Sequence, residues 1–339
     1  MWPAVPAIMN DMGTLPIVLL ALFGLAQSTD QSAATPPAPP VTPETEVVPT
    51  FRTGVAQIAI DVQVLNGKQV LTGLTAADFV VYDEGVQQQL LAFGRESEPM
   101  RLLLLLDVSG SMRKHLQQMA QSAKQALRYL RSGDRVGVML FSQKTKIGED
   151  FTDDLSLIER QIELADWDES LGSGTAINAA VMSAADYMRD FTVPGEPPRG
   201  EERRAILIVT DNLGMNYQIP DSAVLRRLFG LDIVFNAIVV GKGKRPVPPP
   251  DGVYTNPDFT PSDVFLFAEE TGGEAVKAER AGETFRDVME RIRARYRLTY
   301  RVPEAPAGSF RSVRVDLSPA ARQRFPNATV RHRTGYYVQ

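Results

Sequence analysis

The chain has 339 residues, 44% of them hydrophobic and 23% charged, which supplies buried cores for about two domains at roughly 150 residues each. Its formal net charge of -5 speaks against a general nucleic-acid binder, which needs a basic surface to displace counterions from phosphates. Cysteine is absent and the histidines are His115 and His332, so disulfide frameworks, thiolate or multi-histidine metal sites and cysteine nucleophiles are excluded, and any metal must be held by hard oxygen ligands.

Residues 15–26, LPIVLLALFGLA, form an apolar run the length of an export-signal core and shorter than the ~20 residues of a membrane-spanning helix. Small residues follow at Ala26 and Ser28. Residues 1–28 are therefore expected to be a signal peptide and the mature chain to be secreted, periplasmic or in the cell envelope, touching a membrane only through an uncleaved signal. Residues 29–50, with Pro36, Pro37, Pro39, Pro40 and Pro43 closely spaced, cannot bury enough apolar surface to offset ordering, which predicts an extended tether.

Residues 51–98 alternate over 55–64 and carry short β-type runs at 79–82 and 90–93, with Thr75 and Asp78 placed to cap one helical turn. They predict a small β-rich unit, either a strand extension of the next domain or a module of its own. From residue 99 the pattern changes. Apolar runs at 102–106, 136–141, 205–210 and 233–240 alternate with helical spacings at 116–130, 155–164, 176–189, 222–229, 262–270 and 284–295. Strands apolar on both faces and separated by amphipathic helices predict an α/β domain over 99–295, with a doubly wound, mostly parallel, Rossmann-like sheet. A Pro-rich loop at 244–261 interrupts it, too long for an ordinary connection. The arginines between Arg286 and Arg301 read as a solvated face. Residues 296–339 return to strand-like runs and predict a small β unit able to pair with the N-terminal one.

In such sheets ligands bind beyond the carboxyl ends of the strands. After the run 102–106 comes Asp107-Val108-Ser109-Gly110-Ser111, a carboxylate and two hydroxyls at alternate positions before a tight turn. Thr175 precedes a helix after Gly172-Ser173-Gly174, and Asp211 ends the run 205–210. Together they supply two carboxylates and three hydroxyls for one hard cation. Mg²⁺ takes about six oxygens at roughly 2.0–2.1 Å and keeps water where the protein leaves room. Neutral hydroxyls leave the ion electrophilic, ready for an acidic group from outside. Taken singly, each residue has a plainer reading as a helix cap, a turn residue or a solvated acid.

Asp107-Val108-Ser109-Gly110-Ser111, Gly174-Thr175 and Thr210-Asp211 resemble, in order and strand context, the metal-ion-dependent adhesion site of von Willebrand factor A domains. The flanks 70–79 and 335–338 are similar to the ends of a bacterial secreted family with such a domain. The resemblance implies a Rossmann-like fold and a divalent cation, expected to be Mg²⁺ with Mn²⁺ or Ca²⁺ as alternatives. The implied role is adhesion or assembly with an extracellular or envelope protein offering an Asp or Glu carboxylate, without catalysis. The family commonly has Gly where this chain has Asn212, a side chain that narrows access or adds a hydrogen bond. Two rivals stand beside this reading: a structural envelope protein with a vestigial site, and a Mg²⁺-dependent aspartyl phosphotransferase. The latter lacks a second acid two residues after Asp107, where Ser109 stands. A Ser-His-Asp hydrolase built on His115 lacks the nucleophile elbow, and the helix face is expected to carry His115 away from the strand tip.

Overall fold

The computed structural model describes residues 56–95, 98–166, 168–192, 202–214, 219–247, 250, 252 and 261–338. The expected signal peptide and tether lie outside the described residues, as does most of the 244–261 loop. Among the described residues no helix is long and apolar enough to cross a membrane.

The first segment holds β1 (Gln57–Asn66), β2 (Gln69–Val70), β3 (Phe79–Asp83), β4 (Val86–Gln88) and β5 (Leu90–Arg95). Period-two patterning sets the inward face: Phe79, Val81 and Asp83 of β3 are buried, and Val80 and Tyr82 only partly so. Glu84 (φ 49°) and Gly85 (φ 77°) make the two-residue turn into β4, the left-handed pair that matches strand twist in a tight hairpin. The expected cap is present, with the Thr75 N–H and hydroxyl donating to Asp78 Oδ2 at 2.7 and 3.0 Å over the turn Ala76–Asp78.

The central segment holds β6 (Met100–Asp107), α1 (Arg113–Leu127), β7 (Arg135–Phe141), β8 (Thr145–Thr152), α2 (Leu155–Glu163), α3 (Ile177–Asp190), β9 (Arg203–Thr210), α4 (Asp221–Gly230), β10 (Ile233–Val240), α5 (Val264–Thr271), β11 (Ala275–Ala278) and α6 (Ala281–Arg293). Its sheet runs β11-β10-β9-β6-β7-β8, parallel except for the antiparallel edge strand β8. All of β6 is buried. Leu102, Leu104 and Leu106 pack into one core with residues of α1, α2 and α6, whereas Leu103 and Leu105 join a second core with α3, α4 and α5. Apolar surface on both sides of the strand is what burial against two helix layers requires.

The tail supplies β12 (Tyr296–Arg301), β13 (Phe310–Leu317), α7 (Pro319–Arg324), β14 (Ala328–Arg331) and β15 (Gly335–Tyr337). These strands do not form a unit of their own. β12 lies between β1 and β5, β14 pairs β1, and β13 lies between β15 and β3. Residues from both sides of the α/β segment thus build one β body around a third core with Ile60, Val62, Val81, Leu298 and Tyr300. At its centre Asp83, fully buried, accepts hydrogen bonds from Tyr300 Oη (2.9 Å), Tyr336 Oη (2.7 Å) and Arg311 Nε (2.7 Å). Burial, then the Asp83 carboxylate, pushes the Tyr336 phenol up to about 12.

The arginines do not form one solvated face. Arg293, Arg295 and Arg297 are buried. Arg293 pairs Asp134 at 3.0 Å, Arg297 pairs Glu98 at 2.9 Å and Asp61 at 3.5 Å, and Asp61 also takes Arg203 Nε at 3.2 Å. Burial alone raises Asp61, but Arg203, Arg297 and Arg295 outweigh it and hold the carboxyl low. Charge runs mislead here because the guanidinium heads meet carboxylates from distant strands.

His332 is held neutral between Arg333 O (2.7 Å from Nδ1) and the Val315 N–H, which donates to Nε2 at 3.0 Å. Burial lowers its pKa from the ordinary value. The folded state therefore favours the neutral ring, so its contribution is complete above pH 6.5 and drains away as pH falls from there toward the depressed folded pKa. Acidification from pH 7.5 to 5 is expected to lower Tm in wild type more than in His332→Gln. Equal acid slopes in the two proteins would contradict it.

Candidate metal centre

Asp107 ends β6 and Asp211 follows β9, its immediate neighbour in the sheet, so register alone sets both acids at one rim. Asp107 is fully buried. Its Oδ1 accepts from Ser109 N at 2.9 Å and its Oδ2 from Thr210 Oγ1 at 2.7 Å. Ser111 Oγ donates to Asp211 Oδ2 at 2.7 Å and stands 3.3 Å from Ser109 Oγ. Four of the five sequence-predicted residues are thus joined in one hydrogen-bonded string.

Thr175 arrives by a different route. Ser142, next after β7, donates from Oγ to Gly174 O (2.6 Å) and Gly172 O (3.0 Å), and its own carbonyl accepts from Ala176 N at 2.9 Å. This pins the 172–176 loop to the strand beside β6, whose Asp107 registers with Phe141. Gly214 then packs on Thr175 from the Asp211 side, so closely that a Cβ there would lie 2.3 Å from Thr175 O. The loop sits at the same rim, while the Thr175 hydroxyl is not part of the string.

Burial, with a smaller push from the Asp211 charge, raises the Asp107 carboxyl to about 6 against the opposing hydrogen bonds of Ser109 and Thr210. Among the described residues no Lys or Arg forms an ion pair with either acid. A cation suits the donor set on two grounds. Adjacent oxygens around an octahedral Mg²⁺ lie about 2.9 Å apart, given roughly 2.05 Å ligand distances, and the 2.7 Å from hydroxyl to carboxylate and 3.3 Å between two hydroxyls bracket that edge. The set is also oxygen-only, two carboxylates with neighbouring hydroxyls, the hard donors that Mg²⁺ takes. Asp107, Ser109, Ser111 and Asp211, with Thr175 from its pinned loop, are the residues that would hold it.

Three residues beyond that set shape the site. Thr210 orients Asp107 while accepting from Asn212 N at 3.0 Å. Ser142 fixes the Thr175 loop. Ser142 carries no sequence signal, since a hydroxyl at a strand end is commonplace. Asn212 takes a left-handed φ of 52°, which Asn tolerates better than most residues with a Cβ, and its Nδ2 donates to Lys244 O at 3.0 Å. Its side chain ties the loop after β10 to the rim. Asn212→Ala should lose about 1–2 kcal/mol in urea unfolding, through the bond and the backbone conformation together, and Asn212→Gly less. The opposite order would remove this account.

His115 is not carried away from the strand ends. A Cβ built on Gly241 would meet His115 Nε2 at 3.7 Å and Asp211 Cβ at 4.0 Å, so the imidazole flanks the end of β10 beside the acid. Its Nδ1 is buried without a hydrogen-bond partner among the described residues.

Comparison with known proteins found no match among curated sequences. Among solved structures, an aerotolerance-related membrane protein from Bacteroides fragilis is 19% identical, covering 57% of this chain and 98% of its own (TM-score 0.42). A von Willebrand factor type A protein from Catenulispora acidiphila is 10% identical, covering 85% and 76% (TM-score 0.42). Proximal thread matrix protein 1 of the mussel byssus, with a zinc-occupied metal-ion-dependent adhesion motif, is 14% identical, covering 63% and 50% (TM-score 0.44). The family model of the von Willebrand factor type A domain matches residues 102–214, a stretch that holds Asp107, Ser109, Ser111, Thr175 and Asp211. Over residues 102–214 the chain is thus similar to von Willebrand factor type A domains.

Proposed function

We propose that this domain is a non-enzymatic binding module. It would hold a divalent cation, Mg²⁺ first among them, through Asp107, Ser109, Ser111, Thr175 and Asp211, and use the ion to bind a carboxylate of a partner protein. The observation that supports this most is a buried pair of acids, bridged by hydroxyls and without a Lys or Arg in ion-pair contact among the described residues. A bound ion would supply Lewis acidity toward the incoming carboxylate. The chain's own part is to fix the oxygens: Thr210 aims Asp107, Ser142 holds the Thr175 loop, and Asn212 braces the far wall. Ser109, standing where a phosphotransferase would carry its second acid, cannot serve as a general acid near neutral pH, which favours binding over phosphoryl transfer. Export to the envelope or beyond belongs to the same proposal, and the acidic partner is sought there.

Thermal melts of the full chain with Mg²⁺, Mn²⁺, Ca²⁺ and EDTA test the metal reading. A ligand of the folded state at 100 times its Kd adds about 2.7 kcal/mol, which is roughly 5–10 °C for a domain near 200 residues. Identical curves in EDTA and in 10 mM Mg²⁺ would leave only the vestigial reading. Pull-downs with and without chelator then test the partner.

A further inference from the structure

A cleft of about 460 Å³ opens away from the metal rim, where the β body meets the amino end of β9 and the carboxyl end of α4. Four consecutive residues of β1 and its approach, Ala56 to Ala59, line one wall, and three consecutive residues, Tyr336 to Val338, line another. A strand shows alternate residues from its face and consecutive ones from its edge, so both walls are strand edges.

Hydrogen bonding identifies the groups of β1 that no strand among the described residues pairs. Val302 N donates to Ala56 O at 2.9 Å, and the register pairs Ile58 with Tyr300 and Ile60 with Leu298. Even-numbered residues of β1 therefore turn their backbone groups toward β12, and Gln57 and Ala59 turn theirs away from it. On that outer side β14 pairs only residues 63–66, and among the described residues no strand pairs 57–62 there. Unpaired N–H and C=O groups beside a cleft are a template for strand addition.

Apart from Arg204, the charged side chains of the cleft stand in ion pairs. Glu202 meets Arg101 at 2.7 Å, Asp232 meets Arg333 at 2.5 Å, and Arg297 meets Glu98 and Asp61. Arg204 has no carboxylate at ion-pair distance among the described residues. Its Nη1 donates to Leu231 O at 2.9 Å, and its Nε is buried without a hydrogen-bond partner among the described residues.

We propose that this cleft docks an extended segment of a partner protein, which adds a strand to the open edge of β1 at Gln57 and Ala59 and presents one carboxylate to Arg204. The neighbouring Tyr336, Tyr337, Phe229 and Val338 provide apolar contacts for alternate side chains of that segment. The site is separate from the metal rim and needs no cation.

A positional library of N-acetylated, C-amidated nonapeptides, read by fluorescence polarisation against the full chain in EDTA, tests this with the metal rim silenced. Asp or Glu should be selected at one position with apolar residues alternating beside it. The best peptide should lose about tenfold in affinity against Arg204→Gln, the scale of one charge-assisted hydrogen bond, and regain part of it against Arg204→Lys. N-methylation of its alternate amides should abolish binding, an arm that requires no change in the protein. The proposal is overturned if no peptide binds, if no position selects an acid, if the N-methylated peptide binds as well, or if Arg204→Gln leaves affinity unchanged. Dimerisation of the chain that the peptide displaces would make the occupant a second copy and overturn the choice of a different partner.

Discussion

Asp107→Asn is expected to melt above the wild type in EDTA at pH 7.5 and below it in excess Mg²⁺. The wild-type carboxyl is raised to about 6 by burial and by Asp211. A folded pKa above the unfolded one means that the fold prefers the protonated acid. That stability is complete below about pH 4, and metal-free protein loses it as pH rises to 6, by at most about 3 kcal/mol. Asparagine is neutral throughout, keeps an acceptor for Ser109 N, and can donate to the Thr210 hydroxyl. It therefore removes the penalty without opening a hole. A cation removes the same penalty in wild type by supplying positive charge, so Mg²⁺ should raise the wild-type Tm by several degrees and leave the variant's unchanged. Calorimetry across pH 4–8, with and without Mg²⁺, reads both limbs. A variant that still responds to Mg²⁺ like wild type would remove Asp107 from the ligand set.

Asp83→Ala is expected to cost about 3–5 kcal/mol, the range for stripping one partner from a buried charged cluster. Three donors converge on this carboxylate, Tyr300, Tyr336 and Arg311, and each would be left in the interior without its acceptor. Asp83→Asn should cost less, since one acceptor oxygen survives, but it still abandons the Arg311 charge. Guanidinium unfolding gives the magnitude, and hydrogen exchange should place the loss in the strands of the β body more than in β6 or β9. A loss under 1 kcal/mol for the alanine variant would mean that water replaces all three bonds.

The parallel centre of the sheet was legible because burial on both faces leaves an unbroken apolar run, as in residues 102–106 and 233–240. The edge was not. β8 reads TKIGEDFT, polar enough to pass for a loop, because an edge strand pairs once and keeps one side toward water. β11, four residues long, gives too short a pattern to separate from a turn. At the metal rim Asp107, Ser109 and Ser111 were legible from adjacency and Asp211 from its place after a strand. The bonds that hold Thr175's loop were not, since Ser142 lies 30 residues or more from the carbonyls that it ties. Misreading of the Arg286–Arg301 stretch has the same root: partners such as Asp61 are more than 200 residues away along the chain.

Interleaving of the flanking strands sets an order of assembly. On a ribosome adding about 5–20 residues per second, β1 to β5 emerge well before β12 to β15, separated by some 200 residues of α/β domain. For roughly ten to forty seconds the first strands lack the mates that cover Ile60, Val62 and Val81, while the domain between them is already long enough to close. The α/β domain is therefore the natural first body to form in the nascent chain, and the support on which it rests is completed last.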